Sequence, residues 1–230
     1  MRNKKHHLVF FTGAGISQES GLSTFRGESG LWENHKIEEI ASPEGFAKNP
    51  QVVLDFYNSR RLELENVKPN AAHYLIAKLE EKYKATIITQ NIDDLHERAG
   101  SSNILHLHGE LTKSRSCFDE NLIYPYNNPL KLGDLAQDGS QLRPHVVWFG
   151  EEVTKIKEAI QITQNADLFI IVGSSMIVHP AASLLLAVPY ESDTVYIDPN
   201  PTVEEGINLL VIKEKATVGV RLLVEEYLTS

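Results

Sequence analysis

The chain has 230 residues and a mass of 25.8 kDa, a length that suits one large domain or one domain with a small insertion. With 22 Lys and Arg against 31 Asp and Glu, its formal net charge of -9 argues against sequence-independent binding to nucleic acid. No stretch approaches the roughly 20 apolar residues of a membrane-spanning helix, and the single cysteine, Cys117, excludes an internal disulfide. We therefore expect a cytoplasmic protein with neither a membrane nor a nucleic-acid partner.

Short apolar runs alternate with longer amphipathic segments along the chain. The runs that we interpret as strands are residues 8–11, 86–89, 146–149, 168–173 and 194–197. Residues 70–82, which follow Pro69, have apolar side chains at helical spacing, and we predict a helix there. This alternation predicts an α/β fold, with a Rossmann-like parallel sheet and helices on both faces.

The alternation breaks over residues 114–141, where Asn, Pro, Gly and Asp recur without a clear period. Because this stretch is longer than an ordinary connection, we predict a small inserted subdomain. The whole chain, residues 1–230, is then one unit, and we expect it to be a monomer. Its Rossmann-like core comprises residues 1–30, 70–112 and 142–230, and its smaller subdomain comprises residues 31–69 and 113–141.

A glycine-containing turn, TGAGIS, follows the first predicted strand at residues 12–17. Gly13 and Gly15 would let the backbone turn tightly and approach a pyrophosphate at a helix N-terminus. The third glycine of the usual dinucleotide fingerprint is missing, and strand-to-helix turns often use glycine for geometry alone. On this motif by itself, cofactor binding and simple turn formation are about equally open.

Residues 13–27, GAGISQESGLSTFRG, resemble the signature of the sirtuin family over fifteen consecutive positions. Four further motifs follow in the sirtuin order: residues 89–96 (TQNIDDLH), 106–111 (HLHGEL), 143–151 (RPHVVWFGE) and 173–175 (GSS). The resemblance implies an NAD-dependent protein deacylase. In this family NAD is consumed as a co-substrate, nicotinamide leaves, and the acyl group of a modified lysine ends on ADP-ribose.

The resemblance assigns the catalytic part to His108, with Asn91 beside it. An imidazole that titrates near neutrality can take a proton from a ribose hydroxyl without the help of a metal. For an isolated histidine, a structural polar residue before the Gly109 turn would be the simpler interpretation. The four other motifs favour the general base.

The resemblance also implies a set of cofactor contacts. Gln90, Asn91 and Asp93 match positions that line the nicotinamide and ribose pocket, although Asn91 and Asp93 could instead cap the next helix. Asp198 stands where sirtuins usually have Asn, and an acidic group that accepts from ribose hydroxyls favours NAD over NADP. The expected cofactor-binding residues are Gly13, Ala14, Gly15, Ile16, Phe25, Arg26, Gln90, Asp93, Gly173, Ser174, Ser175, Asp198, Asn200 and Ala216.

The segment of Val147, Trp148, Phe149 and Gly150 matches the part of sirtuins that pairs in β fashion with an acyl-lysine peptide. Such pairing provides backbone hydrogen bonds and demands little of the peptide sequence. Val178 matches a family position near the substrate. We therefore expect acyl-lysine proteins as partners.

Tyr57 and Arg60 lie three residues apart in a segment that is predicted to be helical, so both side chains fall on one face. A Tyr hydroxyl beside a guanidinium can hold a carboxylate through charge-assisted hydrogen bonds. The pair resembles that of the sirtuins that remove succinyl and malonyl groups, which implies desuccinylase and demalonylase activity beside deacetylation. A solvated helix face is the alternative.

The zinc site of the family is the clearest departure. Sirtuins commonly hold a structural zinc with two Cys-x-x-Cys pairs, whereas here Cys117 is the only cysteine, so a four-cysteine site is excluded and no metal is expected. Residues 114–141 must then be held by turns and by packing, for which the candidates are Phe118, Leu122, Ile123, Tyr124, Tyr126 and Leu130.

Two other functions stay open at this point. A mono-ADP-ribosyltransferase would cleave NAD in the same way but pass ADP-ribose to a protein side chain. A catalytically silent NAD-binding module would need no general base, and only the loss of the zinc cysteines points to it. The sequence identifies neither the protein substrates nor the order of preference among acyl groups.

Overall fold

The computed structural model describes residues 6–22, 36–126, 128–177 and 179–228. Within them the strands are β1 (His7–Thr12), β2 (Lys84–Thr89), β3 (Ile104–His106), β4 (Gly109–Ser116), β5 (Ile123–Pro125), β6 (Leu142–Val146), β7 (Leu168–Val172), β8 (Asp193–Ile197) and β9 (Leu209–Ile212). The helices are α1 (Ala14–Gln18), α2 (Ile37–Ile40), α3 (Pro43–Lys48), α4 (Pro50–Asn66), α5 (Ala71–Leu79), α6 (Leu95–Arg98), α7 (Ile156–Thr163) and α8 (Ala216–Leu222). A 3-10 helix spans Ala181–Ala187, and a π-helical segment spans Leu223–Leu228.

Six strands form a parallel sheet in the order β3-β2-β1-β7-β8-β9. Successive residues of β1 alternate between two core clusters: Phe10 packs with α5 and α8 on one face, whereas Val9 and Phe11 pack with α7 on the other. Both faces are therefore covered by helices, which explains why the four central residues of β1, residues 8–11, are all apolar. The predicted α/β fold with a Rossmann-like sheet is confirmed.

The strand order reverses at the centre of this sheet. From β1 the chain continues outward to β2 and β3, whereas β7, on the other side of β1, leads to β8 and β9. In open parallel sheets, such a reversal leaves a crevice at the carboxyl ends of the two central strands, where ligands bind. The turns after β1 and β7 are therefore the expected walls of a site.

The strand predicted at residues 146–149 is wrong. Strand β6 ends at Val146 and pairs antiparallel with β4, in a separate three-stranded sheet of order β5-β4-β6. Beyond it, the Val147 amide bonds to the His108 carbonyl and the Phe149 amide to the Ala41 carbonyl. The apolar run thus packs against two different segments, a case that hydrophobicity alone does not distinguish from a strand.

The stretch of residues 114–141 contains more regular structure than predicted, because β4 extends into it and β5 pairs with β4. Tyr124, Tyr126 and Leu130 pack in a cluster with Leu54 and Leu142, as the packing hypothesis requires. Two other candidates for this packing, Phe118 and Ile123, are wrong because their side chains are exposed, Phe118 by 88%. The division into core and smaller subdomain stays a prediction, since β4 and β6 join segments assigned to both.

Hydrogen bonds of Ser116, the last residue of β4, join the two loops that connect the strands of the small sheet. Its Oγ donates to Asp138 Oδ2 over 2.6 Å and accepts the amide of Asp119 over 2.9 Å.

Among the described residues, no group of three or more His, Cys, Asp or Glu side chains is arranged to hold a metal ion. In the same part of the chain, no helix has both the length and the apolar character needed to cross a membrane.

Helix α5 confirms the helix predicted within residues 70–82. Asn70 caps it, its side chain accepting the Ala72 amide, and the Asn70 amide donates in return to His73 Nδ1. His73 is fully buried, and burial lowers its pKa to about 4 from the ordinary 6.5. The folded protein therefore holds this imidazole neutral.

His73 makes stability depend on pH. The unfolded chain binds a proton at His73 below pH 6.5 and the folded chain does so only below about 4, so stability falls as pH falls through this window. Between pH 7.5 and 5.0 the group costs about 2 kcal/mol. We expect His73→Gln, which keeps an acceptor for the Asn70 amide, to remove that part of the loss in urea unfolding. His6→Gln, at an exposed position, is the control; an unchanged pH dependence in His73→Gln would contradict the assignment.

Candidate active site

A cavity of about 780 Å³ lies at the carboxyl ends of β1, β2, β7 and β8. We call it the main cavity; its volume is within the range of small-molecule sites. Most of the predicted site residues line it: Gly13, Ala14, Gly15, Tyr57, Gln90, Asn91, His108, Val147, Trp148, Phe149, Gly150, Gly173, Ser174, Ser175, Asp198, Asn200 and Ala216. Segments that are remote in sequence thus meet at the crevice that the strand order predicts.

The remaining predicted site residues lie elsewhere. Ile16 is fully buried in the core beside β1, so its side chain does not line the main cavity. Asp93 and Arg60 line a smaller, neighbouring cavity. Phe25, Arg26 and Val178 lie outside the described residues, and their roles stay predictions.

The glycines after β1 are required by a contact between two turns. The Gly15 amide donates to the Gly173 carbonyl over 2.9 Å, and a Cβ on Gly15 would lie 2.6 Å from the Gly173 Cα. A Cβ on Gly13 would lie 2.7 Å from the Gly173 oxygen. Gly173 itself has a φ of 61°, in the left-handed region that favours glycine. Packing of the two turns is thus sufficient to explain these glycines, and cofactor binding needs other support.

The polar residues after β2 form a buried network. Asn91 Nδ2 donates to the Gly13 carbonyl over 3.1 Å and to Ser17 Oγ over 3.2 Å. Ser17 in turn donates to Asp93 Oδ2 over 2.9 Å, and the other oxygen of Asp93 accepts the Leu95 amide at the start of α6. Asp93 therefore does act as a helix cap, while the Asn91 amide is fixed against the glycine turn.

Burial raises the pKa of Asp93 to about 6, although its bonds from the Leu95 amide and the Ser17 hydroxyl favour the ionised form. Its carboxyl group lines the smaller cavity beside the main one. Acids with a pKa perturbed in this way are concentrated at functional sites.

His108 lies in the turn between β3 and β4, at the edge of the main cavity. Its Nδ1 donates to the Gln90 carbonyl over 3.0 Å, which leaves Nε2 as the nitrogen with the lone pair. Nε2 has no hydrogen-bond partner within the part of the chain that the structure describes. Burial lowers the pKa of His108, so the imidazole is neutral at pH 7 and can accept a proton. A purely structural histidine would not need this free, neutral nitrogen.

Gly109 fixes the position of His108. Its φ is 81°, and a Cβ there would lie 2.1 Å from the His145 carbonyl oxygen of β6. The His108 carbonyl then accepts the Val147 amide over 2.9 Å. The general-base candidate and the segment predicted to bind the peptide are therefore held directly against each other.

Gln90 joins the turns after β2 and β7. Its side-chain Oε1 accepts the Ser174 hydroxyl over 2.8 Å, and its backbone amide donates to the Thr12 carbonyl over 2.9 Å. The Ser174 carbonyl accepts the Tyr196 hydroxyl over 2.8 Å. These bonds orient the Gln90 side chain, whose Nε2 is left to bind a ligand in the main cavity.

The segment predicted to pair with a peptide contributes buried and exposed side chains in turn. Trp148 is buried against Phe46, whereas Phe149 is 47% exposed. The amides of Val147 and Phe149 are already bonded within the chain. A peptide could therefore not pair with these two amides, and the role of the segment stays a prediction.

Three charged residues that the sequence did not identify hold this segment. Glu151 accepts Arg143 Nη1 over 2.6 Å, Arg115 Nη2 over 3.1 Å and the Trp148 amide over 2.8 Å. The Arg143 guanidinium lies 3.2 Å from the centre of the Trp148 ring. Although burial opposes it, hydrogen bonds and charge from Arg143 lower the pKa of Glu151. Arg143 and Glu151 are the first and last residues of one sequence motif, but only the fold shows that they pair.

Gln18, Glu19, Ile92 and Lys215 also line the main cavity without having been predicted. Lys215 precedes the predicted Ala216 at the start of α8, so its neighbour was the available signal. The other three lie within the sirtuin-like motifs at residues 13–27 and 89–96.

A second, smaller cavity of about 60 Å³ adjoins the main one, and Ala14, Tyr57, Asn91 and Ile92 line both. We call it the side cavity. Tyr57 Oη accepts the Trp148 Nε1 hydrogen over 2.9 Å, and Arg60, which also lines the side cavity, pairs with Glu63. Tyr57 is 4% exposed and the Arg60 side chain 20%, so the alternative of a solvated helix face is wrong.

The sequence model of the Sir2 family matches residues 13–180. The chain belongs to the Sir2 family. The NAD-dependent protein deacylase of Helicobacter pylori (strain J99) is 58% identical over 193 residues, which are 84% of this chain and 82% of that protein. The NAD-dependent protein deacylase of Bacteroides thetaiotaomicron is 48% identical over 224 residues, 94% of this chain and 96% of that protein.

Solved Sir2 structures share the fold of this Sir2-family chain. A Sir2 homologue in complex with NAD superposes with a TM-score of 0.84 and 40% identity, over 96% of this chain and 88% of that one. A Sir2 protein with a p53 peptide and NAD+ superposes with a TM-score of 0.79 and 32% identity, over 99% of this chain and 96% of that one. The predicted sirtuin family and Sir2 fold are confirmed.

Proposed function

We propose that this Sir2-family protein is an NAD-dependent protein-lysine deacylase that favours acyl groups ending in a carboxylate, such as succinyl and malonyl, and retains deacetylase activity. The activity class is that of its named relatives, which cover most of the chain. The observation that carries the acyl preference is the side cavity, which adjoins the main cavity and is lined by Tyr57 and Arg60. The reaction consumes NAD and one water molecule, and its products are free lysine, nicotinamide and O-acyl-ADP-ribose.

The residues of the main cavity fit NAD. Gln90 and Asn91 present oriented amides at one end, and Asp198 lies at the end of β8 at the other. One oxygen of Asp198 accepts the Asn200 amide over 2.8 Å, which leaves the other to accept from ribose hydroxyls. When bound, NAD supplies a ribose carbon that the acyl oxygen attacks and nicotinamide as the leaving group. The fit supports the expected use of NAD as a co-substrate.

His108 is the proposed general base. Its Nδ1 is tied to the Gln90 carbonyl, so a proton taken from a ribose hydroxyl would go to Nε2. Because burial lowers its pKa, the imidazole is in the accepting form at neutral pH. The charge that forms there is in turn stabilised by the Gln90 carbonyl through the Nδ1 hydrogen.

Asn91 can take part only as an acceptor. Its two amide hydrogens are directed to Gly13 and Ser17, so Oδ1 is the atom that is left for a ligand. The proposed catalytic role of Asn91 is therefore to orient a hydroxyl or a water molecule.

Tyr57 and Arg60 are the proposed ligands of the acyl carboxylate. Burial raises the pKa of Tyr57, so the phenol keeps its proton, and its oxygen already accepts from Trp148. Its own hydrogen is therefore available to a carboxylate, and Arg60 adds a positive charge in the same cavity.

Peptides that differ only at the end of the acyl chain test the preference. We expect kcat/KM for a succinyl-lysine peptide to exceed that for its succinamoyl counterpart, in which a carboxamide replaces the carboxylate, at least about tenfold. An acetyl-lysine peptide measures the basal activity. Equal kcat/KM for the two four-carbon acyl groups would overturn the preference and leave the deacylase assignment in place.

The cytoplasmic location, the monomeric state, the lack of zinc and the lack of a nucleic-acid partner belong to the same proposal. The single cysteine supports the cytoplasmic location and the lack of zinc, and the net charge of -9 supports the lack of a nucleic-acid partner.

A further inference from the structure

The Arg60 guanidinium already has a carboxylate partner within the chain. Arg60 Nη2 pairs with Glu63 Oε1, one turn further along α4, and Glu63 also lines the side cavity. The Glu63 side chain is 43% exposed, whereas that of Arg60 is 20% exposed. The positive charge proposed to bind the acyl group is thus partly neutralised before any substrate enters.

The rest of Arg60 is held in place by further contacts. Its guanidinium lies over the Phe56 ring at 5.5 Å, and its Nε is buried without a hydrogen-bond partner among the described residues. Because Arg60 is packed, the more exposed Glu63 is the member of the pair that can move away into solvent.

We propose that Glu63 is a specificity-determining residue, which competes with the acyl carboxylate for Arg60 and thereby weakens the preference for succinyl over uncharged acyl groups. This inference rests on the proposed acyl site. Two carboxylates on one guanidinium repel each other, so the acyl carboxylate binds Arg60 more tightly when Glu63 gives up its bond. Ion pairs between partly exposed residues one turn apart are weak, and exchange of partners is therefore feasible.

Glu63→Gln tests the competition, and Glu65→Gln is the matched control. Glu65 is an exposed residue of the same helix, and its replacement removes the same charge away from the side cavity. We expect Glu63→Gln to raise kcat/KM for succinyl-lysine peptide about fivefold through a lower KM. Turnover of succinamoyl-lysine and acetyl-lysine peptides should stay within about twofold, which also shows that the variant folds. Glu65→Gln should leave all three unchanged.

A second variant and a double variant separate competition for Arg60 from an indirect effect of the substitution. Glu63→Ala should give the same increase, since alanine cannot bond to Arg60 as glutamine can. In an Arg60→Gln background, Glu63→Gln should not change the ratio of kcat/KM for succinyl peptide to kcat/KM for succinamoyl peptide, because the guanidinium for which the two carboxylates compete is absent. An increase that persists there would overturn the proposal.

The failure of this inference differs from a failure of the acyl site itself. Suppose that Arg60→Gln raises the KM for succinyl peptide, but that Glu63→Gln does not raise the ratio of kcat/KM for succinyl peptide to kcat/KM for succinamoyl peptide. Then Glu63 does not compete for Arg60, and only this inference is wrong. If Arg60→Gln itself leaves that KM unchanged, the acyl site is wrong.

Discussion

His108→Ala lowers the deacylation of acetyl-lysine and succinyl-lysine peptides by about 10²- to 10⁴-fold, while NAD still binds. In the described part of the main cavity, His108 is the only histidine that has one ring nitrogen fixed by a hydrogen bond, to the Gln90 carbonyl, and the other nitrogen free. That free nitrogen is the proposed base. The variant removes that base but leaves the glycine turns and Asp198 in place. Single-turnover kinetics measure the chemical step, and isothermal titration measures NAD binding.

His6→Ala is the control for a lost imidazole, because His6 is exposed and remote from the main cavity. It should keep full activity. Turnover by His108→Ala at the rate of the unaltered protein would remove His108 from the catalytic role, and loss of NAD binding would assign it to the binding of the cofactor instead.

Arg60→Gln raises the KM for a succinyl-lysine peptide about 30- to 100-fold and leaves the KM for an acetyl-lysine peptide unchanged. A hydrogen bond to a charged group contributes about 1.5 to 3 kcal/mol, and the expected rise in KM corresponds to about 2.0 to 2.7 kcal/mol. Arg60 lines the side cavity but not the main cavity, so NAD binding should not change. Initial rates over a range of each peptide, at saturating NAD, measure the effect.

Arg221→Gln is a suitable control, since it removes an arginine from a solvent-exposed ion pair with Glu225. Tyr57→Phe is a less selective test, because it also deprives the Trp148 indole of its acceptor. An equal rise in KM for both peptides would show that Arg60 supports the fold of α4 and not the acyl carboxylate.

The sequence predicted the central part of the fold because its strands are buried on both faces. β7 is apolar throughout, and β1 and β8 contain continuous apolar runs at residues 8–11 and 195–197, as a parallel sheet covered by helices requires. β3 and β9 were missed because they are short edge strands of three and four residues. An edge strand is recognised mainly by its pairing, which is a property of the tertiary structure.

The members of the candidate site were predicted better than their interactions. Motifs after β1, β2 and β7 converge because the carboxyl ends of parallel strands meet at one edge, so their order in the sequence was sufficient. The pairing of Arg143 with Glu151, and of Arg60 with Glu63, depends on side-chain conformation and on packing. Likewise, the need for Gly13 and Gly15 follows from the position of Gly173, which is remote in the sequence and which no local pattern contains.

The most direct test of the deacylase assignment is the number of nicotinamide molecules released for each lysine deacylated. Mass spectrometry of an acyl-lysine peptide incubated with NAD measures both products, with His108→Ala as the blank. The proposed reaction predicts one nicotinamide for each free lysine, together with O-acyl-ADP-ribose. Nicotinamide release without free lysine would favour an ADP-ribosyltransferase, and no consumption of NAD would favour a silent binding module; either result would contradict the assignment.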